Sequence, residues 1–163
     1  MALEGDFTRV AENEFYTAAY ERFLSQGKLM GAKCQKCEAM YIPPRPICSK
    51  CHTSEMQLVA MKGKGKLAAY TVIAVGPPMM VDEGFDRENP YCCGIVELEE
   101  GTSITARILG VDVTKPDQIK IGTPVTVEYQ ERVHNGEKKT FLAFRALSGG
   151  QLFTCIGGGQ GIG

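Results

Sequence analysis

Two Cys-x-x-Cys pairs stand ten residues apart in this chain, Cys34-Gln-Lys-Cys37 and Cys48-Ser-Lys-Cys51. A two-residue spacer closes a tight turn that aims both sulfurs of a pair at one point, and two such turns supply four thiolates. That donor set suits one tetrahedral d10 ion such as zinc and leaves no open position for water or substrate, so Cys34, Cys37, Cys48 and Cys51 are expected to hold a structural ion. Iron in a rubredoxin-like cage is the alternative metal, and disulfide pairing the alternative chemistry. The latter fits poorly with a chain that also carries Cys92, Cys93 and Cys155.

The cage must be positioned by the segment around it. Tyr41-Ile-Pro-Pro-Arg-Pro46 lies between the pairs, and its prolines predict a stiff, extended linker. Residues 28–56 are expected to form this zinc ribbon, a unit too short to fold on apolar burial alone and dependent on its metal. Ahead of it, residues 1–27 are read as a helical segment. A helix over 9–26 is predicted from Glu12 and Glu14 near its start, the absence of proline, and Gly27 placed as a C-terminal cap. Phe15, Tyr16, Tyr20 and Phe23 make an aromatic stripe on that helix, expected to be buried against the chain's own core or a partner protein.

After the ribbon the period becomes that of strands. Segments 57–61, 65–75, 90–98, 102–109, 124–129 and 139–147 are short and rich in β-branched or aromatic residues. Gly63-Lys-Gly65, Glu100-Gly101 and Asn135-Gly136 mark turns between them. Residues 57–147 are therefore expected to form a five-stranded antiparallel barrel of the OB type, making the whole chain mainly β. The longest loop, 76–89, carries Met79, Met80, Val81 and Phe85, too apolar for a plain connector. The glycine-rich tail 148–163 is not expected to hold a fixed structure by itself.

The 163 residues carry 18 basic and 19 acidic side chains, a net charge of −1 that conceals a segregation. Residues 28–66 have 8 basic against 2 acidic groups, while both flanks are acidic. Lys62, Lys64 and Lys66, with glycines between them, are candidates to meet the phosphates of an anionic ligand such as CoA; solvated surface lysines are the plainer reading. No apolar run is long enough to span a membrane and the first residues lack a secretion pattern, so a cytoplasmic setting is expected.

The ordered set of pieces resembles a family of small zinc-ribbon and OB-fold proteins that accompany thiolase-type enzymes. The pieces are Cys34-Gln-Lys-Cys37, Tyr41-Ile-Pro-Pro-Arg, Cys48-Ser-Lys-Cys51, Gly63-Lys-Gly-Lys-Leu-Ala-Ala-Tyr-Thr71, Pro90-Tyr-Cys-Cys-Gly-Ile-Val-Glu-Leu-Glu-Glu-Gly101 and Ile121-Gly-Thr-Pro-Val125. They span roughly residues 12–147. The resemblance implies an auxiliary subunit in a hetero-oligomer with a thiolase-fold catalytic partner acting on acyl-CoA. Within the family the pattern is similar to small subunits serving anaerobic breakdown of aromatic compounds. Many family members stop with Phe-x-Pro after the last strand; this chain reads Phe144-Arg-Ala and continues into its tail.

Catalysis by the chain alone is not expected. Acyl transfer needs a cysteine activated by a nearby base, and the only histidines are His52, beside a metal ligand, and His134, in a hairpin. Cys92 and Cys93 are adjacent in a strand, so one should point inward and one outward. The competing function is a nucleic-acid-binding module, since ribbons and OB barrels both serve there. Against it stand the net charge and strand aromatics that are not interleaved with arginines. A scaffold with no ligand of its own is the third possibility.

Overall fold

The structure is a computed structural model describing residues 14–134 and 136–147. The tail 148–163 and the expected helical residues 9–13 lie outside the described residues. Helix α1 runs Thr17–Ser25, later than the expected start. Glu14 to Tyr16 form a turn instead, and Tyr16 at the N-cap offers no side-chain hydrogen bond to the free amides of the first turn. The other end matches expectation. Gly27, at φ +67°, donates to Leu24 O while Lys28 donates to Phe23 O, the paired bonds of a Schellman stop. Ala19 and Leu24 are buried, and α1 lies along the last strand of the barrel.

The ribbon is a three-stranded sheet of β1 (Met30–Cys34), β2 (Met40–Tyr41) and β3 (Met56–Ala60), in the order β2-β1-β3 with both pairings antiparallel. The strand expected at 57–61 to open the barrel sits here instead. It pairs with β1 from Met30↔Ala60 to Cys34↔Met56, and Met61 N extends the ladder to Leu29 O. Gly63 then turns the chain into the barrel at φ +71°, where a Cβ would stand 2.2 Å from Val127 Cγ1. The linker between the cysteine pairs is bent rather than extended, with a cis Ile42–Pro43 bond at the bend.

Five strands follow: β4 (Lys64–Ile73), β5 (Tyr91–Leu98), β6 (Ser103–Leu109), β7 (Pro124–His134) and β8 (Glu137–Ala146). They close as a barrel in the order β4-β5-β6-β8-β7. The expectation of a wholly antiparallel barrel is corrected at one seam. β6 and β8 run parallel, with Arg107↔Ala143, Ile108↔Phe144 and Leu109↔Arg145 in register. A ring of five strands cannot alternate direction all the way round, so one parallel pair is forced by closure. A bulge between Leu67 and Ala69 lets β4 serve both β5 and β7. Leu67, Val96, Val125 and Phe144 fill the interior, and Leu29, Ile42 and Met61 of the ribbon join the same buried cluster. Among the described residues no helix is long and apolar enough to cross a membrane.

The long loop folds back on the barrel wall through α2 (Pro78–Asp82). Glu83 Oε2 accepts from Arg107 Nη2 at 3.0 Å and from Arg132 Nη1. Arg107, only 8% exposed, also lies 4.6 Å over the Phe85 ring and 5.6 Å from that of Tyr91, and donates to Met80 Sδ at 2.9 Å. Burial opposes ionisation of Glu83, but the bonds from Arg132 and Arg107 outweigh it and hold the carboxyl below its usual range. Glu83→Gln should cost about 2 kcal/mol, since charged hydrogen bonds to partly buried arginines are lost. Local opening should rise accordingly, giving roughly 30-fold faster tryptic cutting at exposed Arg87, with metal content unchanged.

Candidate metal centre and its surroundings

Each cysteine pair sits in the same local turn. Cys34 N donates to Ala39 O and Glu38 N to Cys34 O; fourteen residues on, Cys48 N donates to Thr53 O and His52 N to Cys48 O. The residue after each pair, Glu38 at φ +59° and His52 at φ +57°, is left-handed without being glycine. Such backbone costs roughly 1 kcal/mol or more per residue and persists only where surroundings over-determine it. The cage supplies that constraint.

All four sulfurs lie within 4.8 Å of one another, with Cys34 to Cys51 and Cys37 to Cys48 at 3.5 Å. An ion with about 2.3 Å bonds to four thiolates needs sulfurs about 3.8 Å apart, so the donor set fits zinc. None of the four is in a disulfide. Cys34 and Cys48 are fully buried, Cys51 partly so, and Cys37 is exposed. His52 is exposed and outside the set.

Hydrogen bonds favour the thiolate at the first sulfur of each pair. The Tyr41 hydroxyl, then the amides of Cys51 and Lys50, pull the Cys48 thiol down to about 5 against its burial. Burial also opposes ionisation of Cys34, where the amides of Cys37 and Lys36 prevail and lower it. Cys37 and Cys51 receive amides from Ala39 and Thr53, yet burial and the neighbouring sulfurs hold both thiols up. Four like charges cannot share so small a space unaided; a divalent cation removes the conflict. When bound, the ion supplies folding free energy and no open site for chemistry.

The expected phosphate-binding lysines are differently placed from what their run suggested. β5 brings glutamates across from the start of β4: Lys62 Nζ lies 3.6 Å from Glu99 Oε2 and Lys66 Nζ 3.6 Å from Glu97 Oε2. Glu100 Oε1 accepts from Lys62 N at 2.7 Å. Lys64 is exposed and, among the described residues, has no carboxylate within ion-pair distance. Two of the three lysines are thus paired with glutamates some thirty positions later.

The aromatic stripe divides. Tyr20 packs against the chain's own core, its hydroxyl buried without a partner among the described residues, and burial followed by nearby Tyr129 pushes it up to about 12. Phe15 and Phe23 are half-buried, and Tyr16 is 53% exposed. Of the two surfaces expected for this face, the chain's own core takes Tyr20. Sequence reasoning missed Arg107, Arg132 and Glu83, which no local spacing connects.

The adjacent cysteines split as alternation requires. Cys92 is 1% exposed and faces the core; Cys93 is half-buried on the outer wall. Burial, then Cys93, raises the Cys92 thiol to about 11. Burial raises Cys93 as well, with Arg107 opposing only in part. Both stay protonated near neutral pH and are poor nucleophiles. Metal analysis of the purified chain should find about one zinc. Cys48→Ser should lose the ion and the amide-exchange protection of β1 to β3 while β5 and β6 keep theirs.

Comparison with known proteins agrees with this architecture. Residues 23–57 match the rubredoxin-like zinc ribbon domain of ChsH2, and residues 58–130 match the ChsH2 C-terminal OB-fold domain. A DUF35 domain-containing scaffold protein of Methanocaldococcus jannaschii is 34% identical over 110 residues, covering 67% of this chain and 72% of its own. A probable enoyl-CoA hydratase alpha subunit of Thermomonospora curvata is 32% identical over 65% of this chain, a stretch that makes up 30% of that protein. The benzoylsuccinyl-CoA thiolase subunit BbsA of Thauera aromatica is 28% identical over half of this chain and 52% of its own. Among solved structures, the Ltp2–ChsH2(DUF35) aldolase superposes with a TM-score of 0.62 at 29% identity, over 79% of this chain and 92% of the matched one. Ribbon and barrel, joined in this order and to this extent, make the chain a member of the ChsH2-type zinc-ribbon and OB-fold family, DUF35.

Proposed function

We propose that this chain is a zinc-binding auxiliary subunit of a thiolase-type complex, supporting a catalytic partner that makes or breaks a carbon–carbon bond beside a CoA thioester. Its relatives support the class of partner: one is a thiolase subunit and one structure is an aldolase assembly. The observation that carries the auxiliary role is the state of Cys92 and Cys93, the described cysteines outside the metal cage. Each is held protonated by burial, and no base stands in sequence beside either. Benzoylsuccinyl-CoA, which the Thauera relative's name carries, is the specific acyl-CoA in this reading, and aromatic-compound degradation in the cytoplasm its setting. Zinc is the ion, because four thiolates with no open position describe a structural site. Of the lysines considered for CoA phosphates, Lys64 is the one with charge to spare.

The nucleic-acid reading has in its favour only the ribbon and barrel themselves. In OB barrels the outer wall of the second and third strands, here β5 and β6, is the usual oligonucleotide platform. The loop 76–89 covers part of that wall, and Phe85, Tyr91 and Phe141 already carry arginines on their faces. Stacking platforms need free rings.

Purified alone, the chain should show no CoA-dependent turnover. Reconstituted with its thiolase-fold partner it should support carbon–carbon cleavage, and Cys93→Ala should leave that activity within about twofold of wild type. Turnover by the isolated chain, or an inactive but fully assembled Cys93→Ala complex, would overturn the auxiliary role.

A further inference from the structure

The two knuckles are near copies in backbone but not in what touches their sulfurs. Both first cysteines receive backbone amides, as when Cys37 N approaches Cys34 Sγ at 3.4 Å. Among the described residues only Cys48 receives a side-chain hydroxyl: Tyr41 Oη stands 3.3 Å from its Sγ. Ser49 Oγ donates to that same Tyr41 oxygen at 3.0 Å. With its oxygen already accepting, the tyrosine has its own proton left to direct at sulfur, and a metal-bound thiolate has no proton to give back.

The ring is held from two sides. Tyr41 ends β2 opposite Ala32 of β1, and the Arg45 guanidinium lies 4.6 Å over its face. Cys48 is wholly buried, so water cannot take over the bond if the hydroxyl is removed. Cys37, in the other knuckle, is exposed and has no such partner among the described residues.

We propose that Tyr41 is a positioning residue of the metal centre, its hydroxyl donating to Cys48 Sγ and making the second knuckle the anchored half of the cage. The hydrogen bond draws charge off one thiolate and eases repulsion among the four. It also fixes the torsion that aims Cys48 at the ion, as outer partners of metal ligands commonly do. Release of the ion then begins at the first knuckle, where exposed Cys37 is open to water and chelators. The inference rests on metal binding at the four cysteines, which the wild-type chain tests separately by its metal content.

Tyr41→Phe in the full chain keeps the ring and removes the proton. Loaded with cobalt(II) in place of zinc, the variant should retain the ligand-field bands of a four-sulfur tetrahedron. Its sulfur-to-cobalt charge-transfer band should move to lower energy, because a thiolate without the hydrogen bond gives up an electron more easily. Competition with a chromophoric chelator should show zinc binding weakened about tenfold, the size usual for such outer partners. Tyr16→Phe, far from the cage, should change neither. A charge-transfer band that stays in place overturns the proposal, even with weaker zinc binding, since loosened packing alone would weaken binding without moving the band. If Tyr41→Phe does not fold, Ser49→Ala carries the test: Tyr41 loses its donor, and the band should move by a smaller amount in the same direction. An unmoved band there overturns the proposal equally.

Discussion

The four-sulfur cage is the constraint on which the first third of the fold depends. A segment of this length buries too little apolar surface to stand alone, and its two knuckle turns hold Glu38 and His52 in left-handed backbone. Closing the cage fixes β1 between β2 and β3. That sheet then sets Leu29, Ile42 and Met61 against the barrel interior, where they share one buried cluster with Leu67 and Phe144. Within the ribbon sheet itself the strands approach closely: a Cβ on Gly31 would stand 2.8 Å from Tyr41 O. Metal binding is therefore folding free energy for more than the ribbon, because part of the barrel's cover arrives with it.

The barrel carries a second constraint, a matter of parity. Five strands in a closed ring force one parallel pair, and β6 with β8 is where it falls. The pairing places Arg107 beside Ala143, a side chain small enough to leave room on the wall for a guanidinium. A nearly buried arginine needs charge and hydrogen bonds, and neither neighbouring strand supplies a carboxylate there. Glu83 supplies it from the loop, with Met80 and Phe85 excluding water around the pair. The apolar residues that made 76–89 look like a binding loop are in part the means by which the chain satisfies its own arginine.

What could be read from the sequence was whatever chemistry lies within a few residues. The knuckles follow from spacing, and the stops at Gly27, Gly63, Gly101 and Gly136 are local needs for positive φ, met at all four. Strand existence was legible for the same reason from Met56 onward, but not for β1 and β2 of the ribbon. Partner choice was not. Nothing in the pattern of Met56–Ala60 says that it pairs with β1 rather than with the barrel, since either sheet would bury one of its faces. The charge segregation misled in the same way, because Glu97 and Glu99 reach Lys66 and Lys62 only through the β4–β5 register. An aromatic stripe likewise fixes a helix face and leaves open whether the chain or another protein lies opposite, and Tyr20 resolves to the chain.

These packing choices bear on the proposal that another subunit carries the chemistry. Leu67, Val96, Val125 and Phe144 fill the barrel, so the interior offers a substrate no room. Among the described residues the outer wall is what remains, where Cys93 is the thiol outside the cage and core and Arg107 the cation that acts on it. A free guanidinium beside a half-buried thiol is one of the recognised ways to generate a thiolate at neutral pH. Here Glu83 accepts from that guanidinium and cancels much of its field, and burial raises the Cys93 thiol regardless. Burial is thus what keeps the outer-wall cysteine protonated, and Arg107, tied to the carboxylate that fastens the loop, opposes it only in part. Stability of the wall and reactivity of its thiol draw on the same arginine, and the fold has committed that arginine to stability.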